Sequence, residues 1–126
     1  FLLQQRALDK YHSPGLWTNT SCSHPVPGEN SKSAAERRLK EEMGMSVELK
    51  FSFQFMYKTN FDNGLIENEL DHVYFGYSDE LPVLNTKEAM DYHYENLDTL
   101  SENVQANPER YTEWFKIMLP KVIEKL

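Results

Sequence analysis

Residues 47–57 alternate between large apolar side chains and mostly polar ones, and this alternation constrains the fold more than any other feature of the chain. The odd positions read Val, Leu, Phe, Phe, Phe, Tyr, and the even positions that follow them read Glu, Lys, Ser, Gln, Met, Lys. A period of two predicts a strand with one buried face. The Asp-Asn-Gly sequence at 62–64 is a turn signal, and residues 65–77 after it predict the return strand of a hairpin.

The rest of the chain reads as short strands and helices in alternation, which indicates an α/β fold. The further predicted elements are strands at 1–5, 17–24 and 88–97, a helix from Asn30 or Ser31 to Met43 stopped by Gly44, and one or two C-terminal helices. Asn107 and Pro108 are suited to start the last of these helices, and Pro120 to kink or end it.

The predicted helix 31–43 carries two stripes of side chains spaced four residues apart. Ala35, Leu39 and Met43 form the stripe that we expect to face the core. Ala34, Arg38 and Glu42 form the neighbouring stripe at the same spacing. Arg38 and Glu42 should therefore project side by side.

Length and charge limit the organisation of the protein and its partners. A chain of 126 residues, 40% of them hydrophobic, can build one modest core, so we assign a single domain over 1–126. The net charge of −7 argues against general binding of nucleic acid or of an anionic membrane surface. An anionic small molecule would need a local cluster of basic residues, and we expect a monomer or weak dimer.

The single cysteine and the hydropathy pattern favour the cytoplasm. One cysteine cannot form an internal disulfide, and no apolar run approaches the roughly 20 residues that span a bilayer. The sequence opens without Met and reads as if it begins inside a strand, so we expect that an upstream segment is missing.

Two pairs of polar residues stand out on predicted strands. Side chains two positions apart on a strand share a face, about 6 to 7 Å apart, which pairs Cys22 with His24 and Glu67 with Glu69. Two carboxylates on one face of an apolar strand repel each other unless a cation or a shared proton compensates. His and Glu suit a divalent transition metal, whereas Cys could be a ligand or an acid/base group, and the pattern alone does not choose.

Three blocks of the sequence resemble a known family. The segments RALDKYHSPGLWTNTSCSHPVPGE, RRLKEEMG and GLIENE, in this order, are similar to type I isopentenyl-diphosphate isomerases of the Nudix superfamily, and the resemblance runs from about Phe1 to Trp114. It implies an α/β fold of the Nudix type, a mixed sheet with helices packed on both sides and Glu42 facing the cleft. It also implies an isomerase that moves a double bond. One group protonates the alkene of isopentenyl diphosphate, another removes a proton from the tertiary carbocation, and no redox cofactor is needed.

The resemblance also implies roles for individual residues. Cys22 and Glu69 match the two catalytic groups on opposite faces of the substrate. Tyr57 matches a tyrosine that hydrogen-bonds near the catalytic carboxylate, and Trp114 an aromatic ring that faces the cation. A carbocation accepts no hydrogen bond, so a π-face and nearby negative charge are the available stabilisers.

Metal and diphosphate ligands follow from the same resemblance. The implied ligands of a divalent transition metal, Mn²⁺ or Zn²⁺, are His24, Glu67 and Glu69, and Glu42 is the implied ligand of Mg²⁺. Arg6, Lys10 and Arg38 match residues that bind the diphosphate. The family's two remaining histidine ligands and a further lysine would lie upstream of Phe1, so we expect the transition-metal site to be empty or incompletely coordinated in this chain.

Two other functions stay open at this point. A Nudix hydrolase would cleave a nucleoside diphosphate derivative, but Ser23 stands where the Nudix box has its first Gly, and Arg38 where it has a metal-binding Glu. A guanidinium in place of a carboxylate removes a metal ligand, so we expect such hydrolysis to fail. The other possibility is a truncated, metal-free binding module.

Overall fold

The computed structural model describes residues 1–10, 13–21, 27–60 and 66–126, and the side chains of 59, 60 and 66–69 are not described. Strands and helices alternate through these residues, as the sequence predicts. The strands are β1 (Leu2–Arg6), β2 (Trp17–Thr18), β3 (Lys50–Asn60), β4 (Ile66–Phe75) and β5 (Ala89–Tyr94). The helices are α1 (Ser31–Met43), α2 (Leu97–Ala106) and α3 (Glu113–Lys125), with a 3₁₀ turn at Pro108–Arg110.

The strands form two sheets. One has the order β2-β1-β5 and the other is the hairpin β3-β4, and the strand pairs within both are antiparallel. A parallel bridge joins Trp17 to Tyr111, so parallel and antiparallel pairing both occur among the described residues. The turn predicted at 62–64 lies outside the described residues.

Hydrophobic side chains collect in two clusters. Successive residues of a strand point to opposite faces, and in β1 Leu3 joins the cluster built by α2, α3 and the β3-β4 hairpin, whereas Leu2 packs on the cluster beside α1. The helices therefore cover both faces of β1. No helix within the described part of the chain is long and apolar enough to cross a membrane.

Helix α1 begins and ends as its sequence predicts. Asn30 caps it by accepting a hydrogen bond from the Ser33 amide at 2.8 Å, and Gly44 ends it in the left-handed conformation. Leu39 and Met43 face the core, and burial of each stabilises the fold by about 1.5 to 3 kcal/mol.

The predicted stripe of α1 is partly wrong. Ala35 is half-buried and lines a cavity, whereas Ala34, from the neighbouring stripe, is fully buried. At about 100° per residue, the buried residues Ala34, Leu39 and Met43 span roughly half of the helix circumference, and Ala35 lies within this arc but borders the cavity, which leaves it partly exposed.

Strand β3 starts three residues later than the alternation predicts. Its pairing with β4 has a bulge between Phe51 and Phe53, and Phe51 is 55% exposed despite its odd position. A bulge inserts an extra residue and changes which face the next side chain takes. Beyond it, Phe55 and Tyr57 are buried as predicted.

Strand β2 is shorter than predicted, because residues 19–21 leave the ladder and use side-chain hydrogen bonds. Asn19 donates to the Ser21 carbonyl at 2.7 Å, and the Thr20 hydroxyl donates to the Leu2 carbonyl at 2.6 Å. Such local bonds compete with strand pairing. Cys22 and His24, in the rest of the predicted strand, lie outside the described residues.

The start of the last helix was predicted wrongly. Pro108 begins the 3₁₀ turn, and α3 begins after Thr112, whose hydroxyl accepts a bond from the Phe115 amide at 3.3 Å. The Thr112 amide donates to the Trp17 carbonyl at 3.0 Å, which keeps this residue extended. Pro120 lies inside α3 without ending it, on an exposed side where the carbonyl left without its amide partner can meet water.

Candidate active site

A cavity of about 1040 Å³ collects most of the predicted site residues that the structure describes. Its walls come from β1, α1, β4 and α3. The predicted site residues on these walls are Arg6, Lys10, Arg38, Glu42 and Trp114. Residues from distant parts of the sequence therefore converge on one space that is large enough for a small molecule.

Arg38 and Lys10 meet at one carboxylate oxygen. Lys10 Nζ donates to Glu88 Oε2, and Arg38 Nη2 donates to the same atom at 3.2 Å. Lys10 follows β1 in a turn closed by a bond from its amide to the Ala7 carbonyl. Two of the three predicted diphosphate ligands thus share a partner that the sequence did not single out.

Arg38 also connects this pair to Glu42. Its Nη2 donates to Glu42 Oε2 at 3.0 Å, and its Nη1 donates to Glu41 Oε2 at 2.6 Å. The four-residue spacing on α1 brings Arg38 and Glu42 together, as predicted. One guanidinium therefore bridges Glu42, on the cavity wall, and Glu88, at the start of β5.

The Glu42 carboxylate is held from both sides. It is 4% exposed, and its Oε1 accepts a hydrogen bond from the Ser21 hydroxyl at 2.7 Å. Gln4 Nε2 lies 3.5 Å from the same oxygen and donates to the Thr20 carbonyl at 2.9 Å. A buried charge costs free energy unless it is paired and hydrogen-bonded, and Glu42 meets both conditions.

The pKa shifts of Arg38 and Glu88 agree with this arrangement of charges. Burial lowers the pKa of Arg38, but its bond to Glu41 and the charges of Glu42 and Glu88 outweigh burial and raise it. Burial likewise raises the pKa of Glu88, but the bond from Lys10 and the charges of Lys10 and Arg38 outweigh it and lower the pKa. Arg38 and Glu88 are therefore both ionised at neutral pH.

Trp114 forms the aromatic part of the wall. Its ring meets Tyr57 edge-on, with centroids 6.2 Å apart and an interplanar angle of 84°, and the Arg6 guanidinium carbon lies 5.3 Å from the Trp114 ring centroid. The indole Nε1 donates to Asn19 Oδ1 at 3.2 Å. Tyr57 is fully buried in the core and supports the wall through Trp114.

The remaining predicted residues are described in part or not at all. Cys22 and His24 lie outside the described residues. The backbone of β4 places Glu69 opposite Tyr57 and Glu67 opposite Thr59, while the side chains of both glutamates are not described. The catalytic and metal-binding roles of these four residues stay predictions.

The metal expectations can be compared with the described donors. Among the residues whose side chains are described, no three His, Cys, Asp or Glu lie together as a metal site. The Glu42 carboxylate lines the same cavity as Arg6, Lys10 and Arg38, and Mg²⁺ is usually bound in proteins through one or two carboxylates. His24, Glu67 and Glu69 fall outside the residues covered by this comparison.

Four supporting residues, Glu88, Ser21, Gln4 and Asn19, were not predicted from the sequence. Glu88 has no local signal, since its partners lie 78 and 50 residues away in the chain. Ser21 and Gln4 hold Glu42 from loop and strand positions that look unremarkable. Asn19 had a usable signal, because it separates two threonines just before the polar stretch at 21–24.

Comparison with known proteins identifies the family. The NUDIX domain family matches residues 1–115. A protein from Methanosarcina mazei Go1, described as a MutT protein, shares the fold with a TM-score of 0.75 and 18% identity, over 96% of this chain and 80% of that one. The predicted fold class is thereby confirmed.

Curated relatives resolve the family further. The isopentenyl-diphosphate Delta-isomerase of Pectobacterium atrosepticum is 49% identical over 121 residues, which are 96% of this chain and 68% of the relative. Isopentenyl-diphosphate Delta-isomerase 2 of Aromatoleum aromaticum is 53% identical over 122 residues, 97% of this chain and 65% of that protein. This chain thus spans about two thirds of the length of these relatives. The chain belongs to the NUDIX family and, within it, to the family of isopentenyl-diphosphate Delta-isomerases.

Proposed function

We propose that this protein interconverts isopentenyl diphosphate and dimethylallyl diphosphate, a step of isoprenoid biosynthesis. The observation that carries the proposal is the convergence of three cations, one buried carboxylate and an indole ring on a single cavity. Cations suit a diphosphate, and an aromatic face beside them suits a hydrocarbon that becomes positively charged. The names of the curated relatives support the same reaction.

Proton transfer is assigned to Cys22 and Glu69, on opposite faces of the alkene. A proton added to the terminal carbon of isopentenyl diphosphate gives a tertiary carbocation, and loss of a proton from the carbon on the other side forms the new double bond. Atoms and charge balance without any oxidant. Trp114 is the group proposed to face the cation, supported by Tyr57 at its edge.

The diphosphate is assigned to Arg6, Lys10 and Arg38. An acidic protein can hold an anion at this point because the cations are local, and guanidinium groups can bind phosphate oxygens through two parallel hydrogen bonds. Arg6 lies against Trp114, so the site for the charged end of the substrate borders the site for its hydrocarbon end.

Two metal ions are part of the proposal. Glu42 would hold Mg²⁺ beside the diphosphate, and His24, Glu67 and Glu69 would contribute to a site for Mn²⁺ or Zn²⁺. A bound divalent ion would supply positive charge to the phosphate oxygens or to the carboxylates. We further propose a cytoplasmic protein, monomeric or weakly dimeric, whose partner is a small molecule and not nucleic acid or a membrane.

Hydrolysis of a nucleoside diphosphate derivative is the competing function within the superfamily. Arg38 weighs against it, because this guanidinium stands at a metal-ligand position of the Nudix box and pairs with Glu41, Glu42 and Glu88. A cation at this position opposes the clustering of Mg²⁺ ions that the hydrolysis needs.

Variants of the two proton-transfer groups test the proposal. In the full-length protein, Cys22→Ala and Glu69→Gln should each abolish the conversion of isopentenyl diphosphate, whereas binding of the substrate should survive Cys22→Ala. Glu69→Gln is measured together with metal content, since the same carboxylate is a proposed ligand. Glu102→Gln, an exposed position on α2, serves as the control.

The outcome separates the alternatives. Normal conversion by Cys22→Ala would remove this residue from catalysis. An unmutated protein that binds the substrate but neither converts nor hydrolyses it would be a binding module and not an enzyme.

A further inference from the structure

Glu88 occupies a central position among the proposed diphosphate ligands. Its Oε2 accepts hydrogen bonds from Lys10 and Arg38, and its side chain is 23% exposed. The two cations come from different elements, the turn after β1 and the middle of α1. Glu88 is therefore the contact that joins them.

The backbone of Glu88 is fixed on both sides. Its amide donates to the Asn85 carbonyl at 2.9 Å, and its carbonyl accepts from the Ala7 amide at 3.2 Å. Asn85 in turn donates its amide to the Glu42 carbonyl at 3.0 Å. These hydrogen bonds hold the backbone of Glu88 against the turn after β1 and the end of α1. The two cations come from this turn and from α1.

We propose that Glu88 is a positioning residue, which holds Lys10 and Arg38 in the geometry that receives the diphosphate. This inference rests on the proposed function, because it assumes that these cations bind a diphosphate. Lys and Arg side chains have many rotamers, and their mutual repulsion would separate them without a shared anion. Glu88 fixes the Lys10 and Arg38 side chains before the ligand binds, so binding costs less conformational entropy.

The negative charge of Glu88 also has an effect that opposes diphosphate binding. Glu88 is itself negative, and its charge repels a diphosphate, so its removal could also tighten binding. Both cations donate to one oxygen, Oε2, so Lys10 keeps other N–H groups for a ligand, and Arg38, which also donates to Glu41 and Glu42, keeps those N–H groups that make none of these bonds. We therefore expect ordering to outweigh repulsion. Ordering one such side chain generally corresponds to about 2- to 10-fold in affinity, so ordering two side chains corresponds to about 4- to 100-fold.

The test is Glu88→Gln, which keeps the shape of the side chain and removes its charge. We expect KM for isopentenyl diphosphate to rise about tenfold while kcat changes by less than about twofold, because Glu88 does not act in the chemical step. Calorimetry with inorganic diphosphate should show the same loss of affinity. Because this binding measurement does not depend on isomerisation, it tests Glu88 even if the proposed reaction is wrong.

Glu41→Gln is the matched comparison. Glu41 also accepts a bond from Arg38, at 2.6 Å, but it comes from α1 itself and is exposed. Its loss should change KM and diphosphate affinity by less than about twofold. Equal effects of the two variants would assign the loss to charge on Arg38 in general and would overturn the role of Glu88.

A double-mutant cycle with Lys10→Met completes the experiment. If Glu88 acts through Lys10, Glu88→Gln should weaken diphosphate binding much less when Lys10 is already replaced. Fully additive losses, or an affinity that is unchanged or higher in Glu88→Gln alone, would overturn the proposal.

Discussion

Gly44→Ala should destabilise the protein by more than backbone strain alone accounts for. Gly44 ends α1 with a φ of 65°, and its amide donates to the Lys40 carbonyl at 3.0 Å. A Cβ at this position would lie 2.6 Å from the Val83 carbonyl oxygen and 2.8 Å from the Val83 Cβ. Left-handed strain costs about 1 to 2 kcal/mol and the steric overlap about 1 to 3 kcal/mol, so the free energy of unfolding should fall by about 2 to 5 kcal/mol.

Gly28→Ala provides the control for this substitution. Gly28 also has a positive φ, 85°, but a Cβ there would meet no atom of the described residues within 4 Å. We expect this variant to lose only the strain, about 1 to 2 kcal/mol. Urea unfolding followed by circular dichroism gives both free energies, and their difference isolates the overlap with Val83. Equal losses within about 0.5 kcal/mol would refute the close packing assigned to Gly44.

The overlap has a functional consequence as well. The Val83 amide donates to the Met43 carbonyl at 2.8 Å, and the chain continues from there to Glu88 and β5. A side chain at position 44 would push this segment away from the end of α1. Gly44→Ala should therefore weaken the contact between Glu88 and Arg38 and lower diphosphate affinity, whereas Gly28→Ala should leave that contact in place.

Two further predictions concern the cavity. Trp114→Leu should lower kcat by about 30-fold, because a desolvated cation–π contact is worth about 2 kcal/mol. Trp114→Phe should lower kcat by less, since Phe keeps a π-face. Steady-state kinetics in which the Leu variant is as active as the Phe variant, or more active, would contradict this role. Because the pKa of Glu88 is lowered in the folded protein from its ordinary 4.5, its ionised form stabilises the fold above that pH, and the stabilisation is lost as the pH falls through the lowered value. The difference in unfolding free energy between the unmutated protein and Glu88→Gln should thus stay constant near neutral pH and narrow as the pH falls below 4.5, and a difference that stays constant there would show that the ion pairs of Glu88 contribute nothing.

Local signals made α1 and the hairpin predictable. The Asn30 cap, the Gly44 stop and the contact between Arg38 and Glu42 all join residues within four positions of one another. Such interactions depend only on the sequence of one segment, so the residue pattern of that segment is enough to predict them.

Features that depend on distant segments could not be predicted from local patterns. Asn107 with Pro108 is a good helix start in isolation, but α3 begins after Thr112. Two contacts with β2 hold Thr112 in place: its amide donates to the Trp17 carbonyl, and its hydroxyl lies 2.9 Å from the Thr18 hydroxyl. The resemblance to known isomerases predicted the roles of the three cations and of Trp114. The contact of Glu88 with Lys10 and Arg38 could be found only from the structure, because it joins residues from distant segments.

Deuterium incorporation during turnover tests the central claim most directly. The unmutated protein, with Mg²⁺ and Mn²⁺ or Zn²⁺, is incubated with isopentenyl diphosphate in deuterated water, and NMR follows the carbon-bound hydrogens while phosphate release is measured in parallel. We expect dimethylallyl diphosphate that carries deuterium, with no release of phosphate above background. Release of phosphate without deuterium at carbon would contradict isomerisation and would indicate a hydrolase.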